Sequence, residues 1–259
     1  MVRIAQLSDT HVMAGADAQA HALRAAVERL AELWPAPDCV VITGDLTESG
    51  LPGEYERLRT LLDRVGPPVY LIPGNHDDRA ALRAVFAGPG GACGPPATAD
   101  SFVQYAVDLG PVRLVMHDST DPARGGGVAC PARLAALDDL LRERQDAPTV
   151  VAMHHPPFRT HVPIIDSMGY QGLADLAAVI GRHPQVVRVI CGHVHRPITA
   201  GFAGTIAVSC PSTWMQLAFG GPPSARPAVA EPPAMALHVI DSDGGAQSHL
   251  IPIGDYQPA

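Results

Sequence analysis

The chain has 259 residues, and 47% of them are hydrophobic, a normal globular share that excludes a natively disordered protein. Its formal net charge is −8 and all 18 basic residues are arginine. Lacking a basic run, it is poorly suited to grip nucleic acid or an anionic membrane by charge, so an anionic ligand would need its charge met by something other than side-chain cations.

Five scattered cysteines (Cys39, Cys93, Cys130, Cys191, Cys210) form no CxxC and read as free thiols in a reducing compartment. No stretch approaches 18 consecutive apolar residues, and the N-terminus turns polar before a signal-peptide core forms. A cytoplasmic location is the expectation.

In chain order, apolar and β-branched runs predict strands at Val2–Leu7, Cys39–Ile42, Val69–Ile72, Phe102–Val107, Val112–Met116, Thr149–Met153 and Val186–Ile190. Further strands are expected at Pro197–Gly201, Thr205–Ser209, Met235–Ile240 and Gln247–Ile251. Amphipathic stretches predict helices over Asp17–Leu33, Gly53–Val65, Asp78–Phe86, Ala132–Gln145 and Leu173–Gly181. In the first of these Ala20, Leu23, Val27, Leu30 and Ala31 keep to one helical face.

The strand–helix alternation implies a layered α/β domain. The late strands leave no room for crossover helices and should pair as hairpins, which makes the sheets mixed. No internal repeat or long linker divides the chain, so one domain over 1–259 is expected. Gly88–Asp100 reads as a surface insertion, and the Pro-rich stretch Gly220–Pro233 as a lid over a cleft or a subunit contact.

Five predicted strands end in polar bursts: Ser8-Asp9-Thr10-His11, Gly44-Asp45, Gly74-Asn75-His76-Asp77, His154-His155-Pro156-Pro157 and Gly192-His193-Val194-His195. Ligand sites in α/β sheets form beyond the carboxyl ends of strands, so these side chains are expected in one cleft. Carboxylate and amide oxygens with imidazole nitrogens, and no thiolate, suit iron, manganese, zinc or cobalt rather than a structural zinc. Asp9-Thr10-His11 and His193-Val194-His195 are expected to be extended, so that alternation places both members of each pair on one side, able to grip a metal from one face.

The ordered set Asp-x-His, Gly-Asp, Gly-Asn-His-Asp, His and Gly-His-x-His resembles the calcineurin-like metallophosphoesterase superfamily. Ser8–His11, Leu71–Asp78, Met153–Pro157 and Cys191–His195 are similar to its class III branch of cyclic-nucleotide phosphodiesterases and bacterial glycerophosphodiesterases. The resemblance runs from Val2 to about Ser209. It implies an αββα sandwich of two mixed sheets flanked by helices, and a site for two divalent metal ions.

By this resemblance Asp9, His11 and His195 hold one metal, Asn75, His154 and His193 the other, and Asp45 bridges them. His76 lies close to the phosphate oxygen or leaving group as a proton donor. The implied reaction is hydrolysis of a small phosphodiester, a 3',5'-cyclic nucleotide such as cAMP or a glycerophosphodiester, by a hydroxide bridging the metals. The metals also answer the charge question, since they supply the positive charge that a lysine-free acidic chain lacks. The alternatives are a metal-binding scaffold module on the same fold, or a phosphomonoesterase or nuclease of the same superfamily. No nucleic-acid or membrane partner is expected, and a homodimer or higher homo-oligomer remains open.

Other residues receive plainer readings. Asp77 is expected to orient neighbours or cap the following helix, His155 to support the site, and His117 to stabilise its loop. His21, His183, His238 and His249 read as surface or satisfied histidines, and Cys191 as a small buried side chain. Arg159 and His161 are either substrate contacts or solvated loop charges. Trp214 and Met215 stand where many relatives line the pocket, Trp214 being either core or a surface for a base to stack on.

Overall fold

The computed structural model describes residues 1–88, 91–95, 101–220 and 228–254. The chain opens with β1 (Val2–Leu7), α1 (Ala18–Ala31), β2 (Cys39–Thr43), α2 (Pro52–Leu62), β3 (Val69–Ile72) and α3 (Arg79–Phe86). There follow β4 (Tyr105–Leu109), β5 (Val112–Met116), β6 (Thr120–Asp121), β7 (Arg124–Val128), α4 (Pro131–Arg142) and β8 (Thr149–Ala152). Next come α5 (Pro163–Met168), β9 (Tyr170–Gln171), α6 (Leu173–Gly181), β10 (Val186–Cys191), β11 (Ile198–Phe202) and β12 (Thr205–Ser209). The last strands are β13 (Gln216–Leu217), β14 (Ala228–Val229), β15 (Ala234–Ile240) and β16 (Ala246–Pro252).

Two large mixed sheets result, beside a small β6-β7-β9 sheet and a β13-β14 pair. The first has the order β16-β15-β1-β2-β3, with β1, β2 and β3 parallel and β15 antiparallel to β1. The second has the order β11-β12-β10-β8-β5-β4, parallel in its centre and antiparallel at both edges. The hairpins expected late in the chain are β11–β12 and β15–β16.

Side-chain alternation explains why the sheets stack. In the second sheet Leu114, Met116, Val150, Ala152 and Ile190 join one buried cluster with Ile4, Leu7 and Ile42 of the first sheet. Their neighbours Val115, Val151, Val189 and Cys191 face the other way, into a cluster with Leu137 and Leu141 of α4 and Leu176 and Ile180 of α6. Helices α1, α2 and α3 add Leu23, Leu58 and Leu82 to the first cluster, which completes the αββα order. On α1 the buried face carries Ala20, Leu23, Ala26, Val27 and Leu30, while Ala31 is exposed.

Two expectations need correction. The strand expected at Phe102 begins at Tyr105, because side chains satisfy the preceding backbone: Val103 N donates to Asp118 (2.9 Å), and the Arg83 guanidinium donates to the carbonyls of Ser101 and Phe102. The described part of Gly88–Asp100 is no surface insertion. The carbonyl of Ala92 accepts from Leu71 N (2.6 Å) and from the Tyr105 hydroxyl (2.8 Å), and Cys93 is buried, so this segment covers the open edge of β3. Residues 89–90 and 96–100 of that stretch, and 221–227 of the expected lid, lie outside the described residues. No helix of the described residues is long and apolar enough to cross a membrane.

Candidate metal centre

The five polar bursts meet at one edge of the sandwich. Asp9 and His11 follow β1, Asp45 follows β2, Asn75 and His76 follow β3, His154 follows β8, and His193 and His195 follow β10. The pairs are not held by extended alternation. Asp9, His11, Asp45, His193 and His195 all have left-handed backbones, with φ of 52°, 45°, 47°, 68° and 51°. Such conformations cost non-glycine residues about 1–3 kcal/mol each and persist only where neighbours over-determine them. Here the loops lock one another: Asp9 N donates to Gly44 O (3.1 Å), His11 N to Asp45 O (2.9 Å) and Gly192 N to His154 O (2.9 Å).

Between the paired residues, Thr10 gives its hydroxyl to Leu46 O (2.7 Å) and Val194 packs with Val162, Ile165 and Leu217. Close approach also dictates glycine before two of the polar side chains. A Cβ on Gly74 would lie 2.2 Å from both the N and the Oδ1 of Asp45, and one on Gly192 would lie 2.0 Å from Ser8 Oγ.

The donor atoms converge. His195 Nε2 lies 3.4 Å from Asp9 Oδ1 and 3.3 Å from His11 Nε2. Asp45 turns Oδ2 to His11 Nε2 (3.7 Å) and Oδ1 to His154 Nε2 (3.4 Å), so its carboxylate spans both halves of the cluster. His154 Nε2 is 3.1 Å from Asn75 Oδ1 and 3.2 Å from His193 Nδ1. Two ligands about 2.1 Å from a shared ion at tetrahedral or octahedral angles stand about 3.0–3.4 Å apart, close to these separations.

The tautomers favour a cation as well. His11 Nδ1 donates to the Glu48 carboxylate (2.7 Å), His195 Nδ1 to Met215 O (2.8 Å) and His154 Nδ1 to Thr43 O (2.7 Å). These partners only accept, so each neutral ring keeps its proton on Nδ1 and aims an Nε2 lone pair into the cluster. Lone pairs facing one another at such distances repel unless a cation stands between them. The residues therefore fit a metal.

Charge states agree with that fit. Burial alone would raise the Asp45 carboxyl, but His154 and then His11 outweigh it and hold it well below the usual carboxylate range. Burial, reinforced by His155 and His154, keeps the His193 imidazole well below its ordinary value and hence neutral. His154 goes the other way: burial lowers it, yet Asp45 prevails and pushes it up to about 9, so in the absence of metal a proton occupies the shared space.

Other predicted residues have definite places. Asp77 orients its neighbours, accepting from Leu46 N, Thr47 N, Gly74 N and the Tyr55 hydroxyl, while Asp78 caps α3 by accepting from Ala81 N. His155 exchanges hydrogen bonds with Ser119 and donates from Nε2 to Gly125 O, and its ring stands 4.8 Å from that of His154 and 4.6 Å from that of His193. The expectation for His117 fails: its ring is buried and neither nitrogen has a hydrogen-bond partner among the described residues. Asp118 holds that loop instead, through Arg79, Thr120 N and Val103 N.

His183 pairs with Asp138 and His238 with Gln6 and Ser248, while His21 and His249 are exposed. Cys191 is fully buried. Arg159 borders a neighbouring cavity of about 400 Å³ that reaches His155 and His193; His161 lines neither cavity.

Over the donor cluster opens a cavity of about 240 Å³. His11, Asp45, Asn75, His76, His193 and His195 form its floor. Its wall is mostly apolar, from Met13, from Ile164, Ile165 and Met168 of α5 and from Trp214, Met215 and Leu217, with Gln19 and Glu48 as its polar members. Among the described residues no arginine lines it. Trp214 thus belongs to the cavity wall rather than the core.

The sequence reading missed α5, which begins at a proline and is six residues long, and it missed Glu48, the hydrogen-bond partner of His11. The only available signal for Glu48 was its place three residues after Asp45, on the same loop.

Two facing mixed sheets with a nitrogen–oxygen donor cluster at their shared edge define the class: the chain belongs to the calcineurin-like phosphoesterase family, whose model matches residues 2–197. Members of this family use divalent metals in a dinuclear site. The chain is 29% identical to a probable glycerophosphodiester phosphodiesterase of Arcobacter nitrofigilis, over 98% of this chain and 94% of that one. It is 30% identical to a 3',5'-cyclic-nucleotide phosphodiesterase of a Nostoc species, over 83% of this chain and 79% of that one. Among solved structures it resembles a dimetal phosphatase from Danio rerio, with a TM-score of 0.65 at 15% identity and coverage of 98% and 99%.

Proposed function

We propose that the whole chain acts as one metal-dependent phosphodiesterase, with Asp9, His11 and His195 as ligands of one ion, Asn75, His154 and His193 of a second, and Asp45 between them. The observation that carries this reading is the set of imidazole lone pairs and carboxylate oxygens aimed into one space 3.1–3.7 Å across its pairs. Nitrogen and oxygen donors without thiolate suit iron, manganese, zinc or cobalt, with supply deciding among them. Two such ions would offset the charge of a bound phosphodiester and acidify a water into the attacking nucleophile.

The residues of the chain do the rest. Ionised Asp45 and Asp9 keep the donor set anionic, and the left-handed loops hold it preorganised. His76 donates from Nδ1 to Glu48 O (2.8 Å), which leaves Nε2 to line the cavity and to hold, when the ring is charged, a proton for the leaving oxygen. The apolar part of the wall gives the uncharged substituent of a diester somewhere to rest, and among the described residues no arginine stands there to meet a second phosphate charge. This supports diesters over monoesters. The names of the relatives point to 3',5'-cyclic nucleotides or glycerophosphodiesters as the substrate. Five free cysteines suit a reducing, cytoplasmic setting.

Manganese-loaded protein is expected to cleave bis(p-nitrophenyl) phosphate, and chelation, Asn75→Ala or Asp45→Ala to abolish the cleavage. Turnover that survives chelation and both substitutions refutes the reading. Rates on cAMP, a glycerophosphodiester and a monoester, from one metallated preparation, decide the substrate.

A further inference from the structure

Three imidazoles aim Nε2 into the donor cluster, and the groups behind them differ. His154 is backed by the carbonyl of Thr43 and His195 by the carbonyl of Met215, whereas His11 is backed by the carboxylate of Glu48 at 2.7 Å. A carbonyl orients a ring. A carboxylate orients it and also raises its basicity, because the negative charge favours electron donation from the far nitrogen. Glu48 acts a second time through its main chain, since its carbonyl accepts from His76 Nδ1 at 2.8 Å, and the rings of His11 and His76 meet edge to face with centroids 4.9 Å apart. Its own backbone is pinned by Glu48 N donating to Val12 O (3.1 Å). The Glu48 side chain is 36% exposed, so it supports little of the core.

We propose that Glu48 is a positioning residue of the centre: its carboxylate fixes His11 as a metal ligand, and its carbonyl directs His76 into the cavity. The inference rests on the metal reading of the previous subsection. It predicts that the side chain of Glu48 governs one half of the centre and not the other, since no contact ties it to Asn75, His154 or His193.

Full-length wild type, Glu48→Ala and Glu48→Gln are titrated with manganese or cobalt against a chromophoric chelator, with thermal unfolding as a check on folding. Glu48→Ala is expected to weaken one of two metal equivalents by about 10–100-fold and to leave the other within about threefold. Glu48→Gln, whose amide oxygen still accepts the Nδ1 proton, is expected to fall between Glu48→Ala and wild type. Wild-type affinities in both variants overturn the inference, and so does an equal loss at both equivalents, which would mark general loosening. Wild type that binds no metal overturns the metal reading itself, and this inference with it.

Discussion

Gly74→Ala tests the architecture of the site at its tightest point. The added Cβ would lie 2.2 Å from the backbone nitrogen and Oδ1 of Asp45 and 2.9 Å from its Cγ. Ordinary contact begins at 3.4 Å, so the loops after β2 and β3 must part by about 1.2 Å. Backbone cannot swing aside as a flexible side chain can. Overpacking of this kind costs about 1–3 kcal/mol, or roughly 2–12 °C in Tm for a chain of this size. The larger consequence is chemical. Metal ligation tolerates about 0.2 Å, and Asp45 faces both halves of the donor cluster, so metal content is expected to drop below two per chain and diester turnover by at least about 100-fold. Metal analysis, a thermal melt and bis(p-nitrophenyl) phosphate turnover read these effects. Gly53→Ala is the control: it lies in α2 with nothing within 4 Å of the new Cβ, and should stabilise by about 0.4–1 kcal/mol. Gly74→Ala with two metals, an unchanged Tm and full turnover would refute the packing argument.

Three further outcomes follow from the same geometry. Trp214→Ala is expected to raise KM for a diester bearing a nucleobase by about 10-fold, with little change for a methyl-substituted diester; equal effects on both would remove Trp214 from substrate contact. His76→Ala should lower kcat by about 10²–10⁴-fold on alkyl leaving groups and far less on p-nitrophenolate, which departs without a proton, and a uniform loss would deny the acid role. Burial, with Arg133 adding and Asp118 opposing, pushes His117 down to about 4 from 6.5. The unfolded chain then binds the extra proton between pH 6.5 and 4, so this group leaves stability intact above pH 6.5 and erodes it by up to about 1.4 kcal/mol per unit as pH falls through that window. Urea unfolding of wild type and His117→Leu at pH 7 and 5 should show a shallower acid loss in the variant, and parallel curves would contradict this.

The parts of the molecule legible in the sequence are those governed by short-range pattern. Apolar, β-branched runs marked β1, β2, β5, β8 and β10 because each is almost wholly buried on both faces, and the polar residues after them stood out against that background. The donor side chains were legible as chemical types at strand ends. Their backbone was not: left-handed φ at Asp9, His11, Asp45, His193 and His195 is imposed by hydrogen bonds between loops far apart in sequence, and no local pattern announces it. The cover over β3 was illegible for the same reason, since Ala92 acts through its carbonyl and any residue type supplies one. Helix α5 was hidden because six residues that begin with a proline carry too little period to read. Glu48 was hidden because a lone glutamate on a loop is ordinarily solvated.

Much of the wall of the cavity comes from stretches of chain that supply none of its floor. The floor is built by strand ends stapled to one another across both sheets, whereas most of the apolar wall belongs to α5 and to the run Trp214–Leu217. Substitutions at Ile164, Met168 or Trp214 therefore leave the reacting apparatus alone while reshaping what fits above it. Such a division lets descendants of one ancestor exchange guests without rebuilding the hearth, and it makes those positions the natural targets for redirecting the enzyme by design.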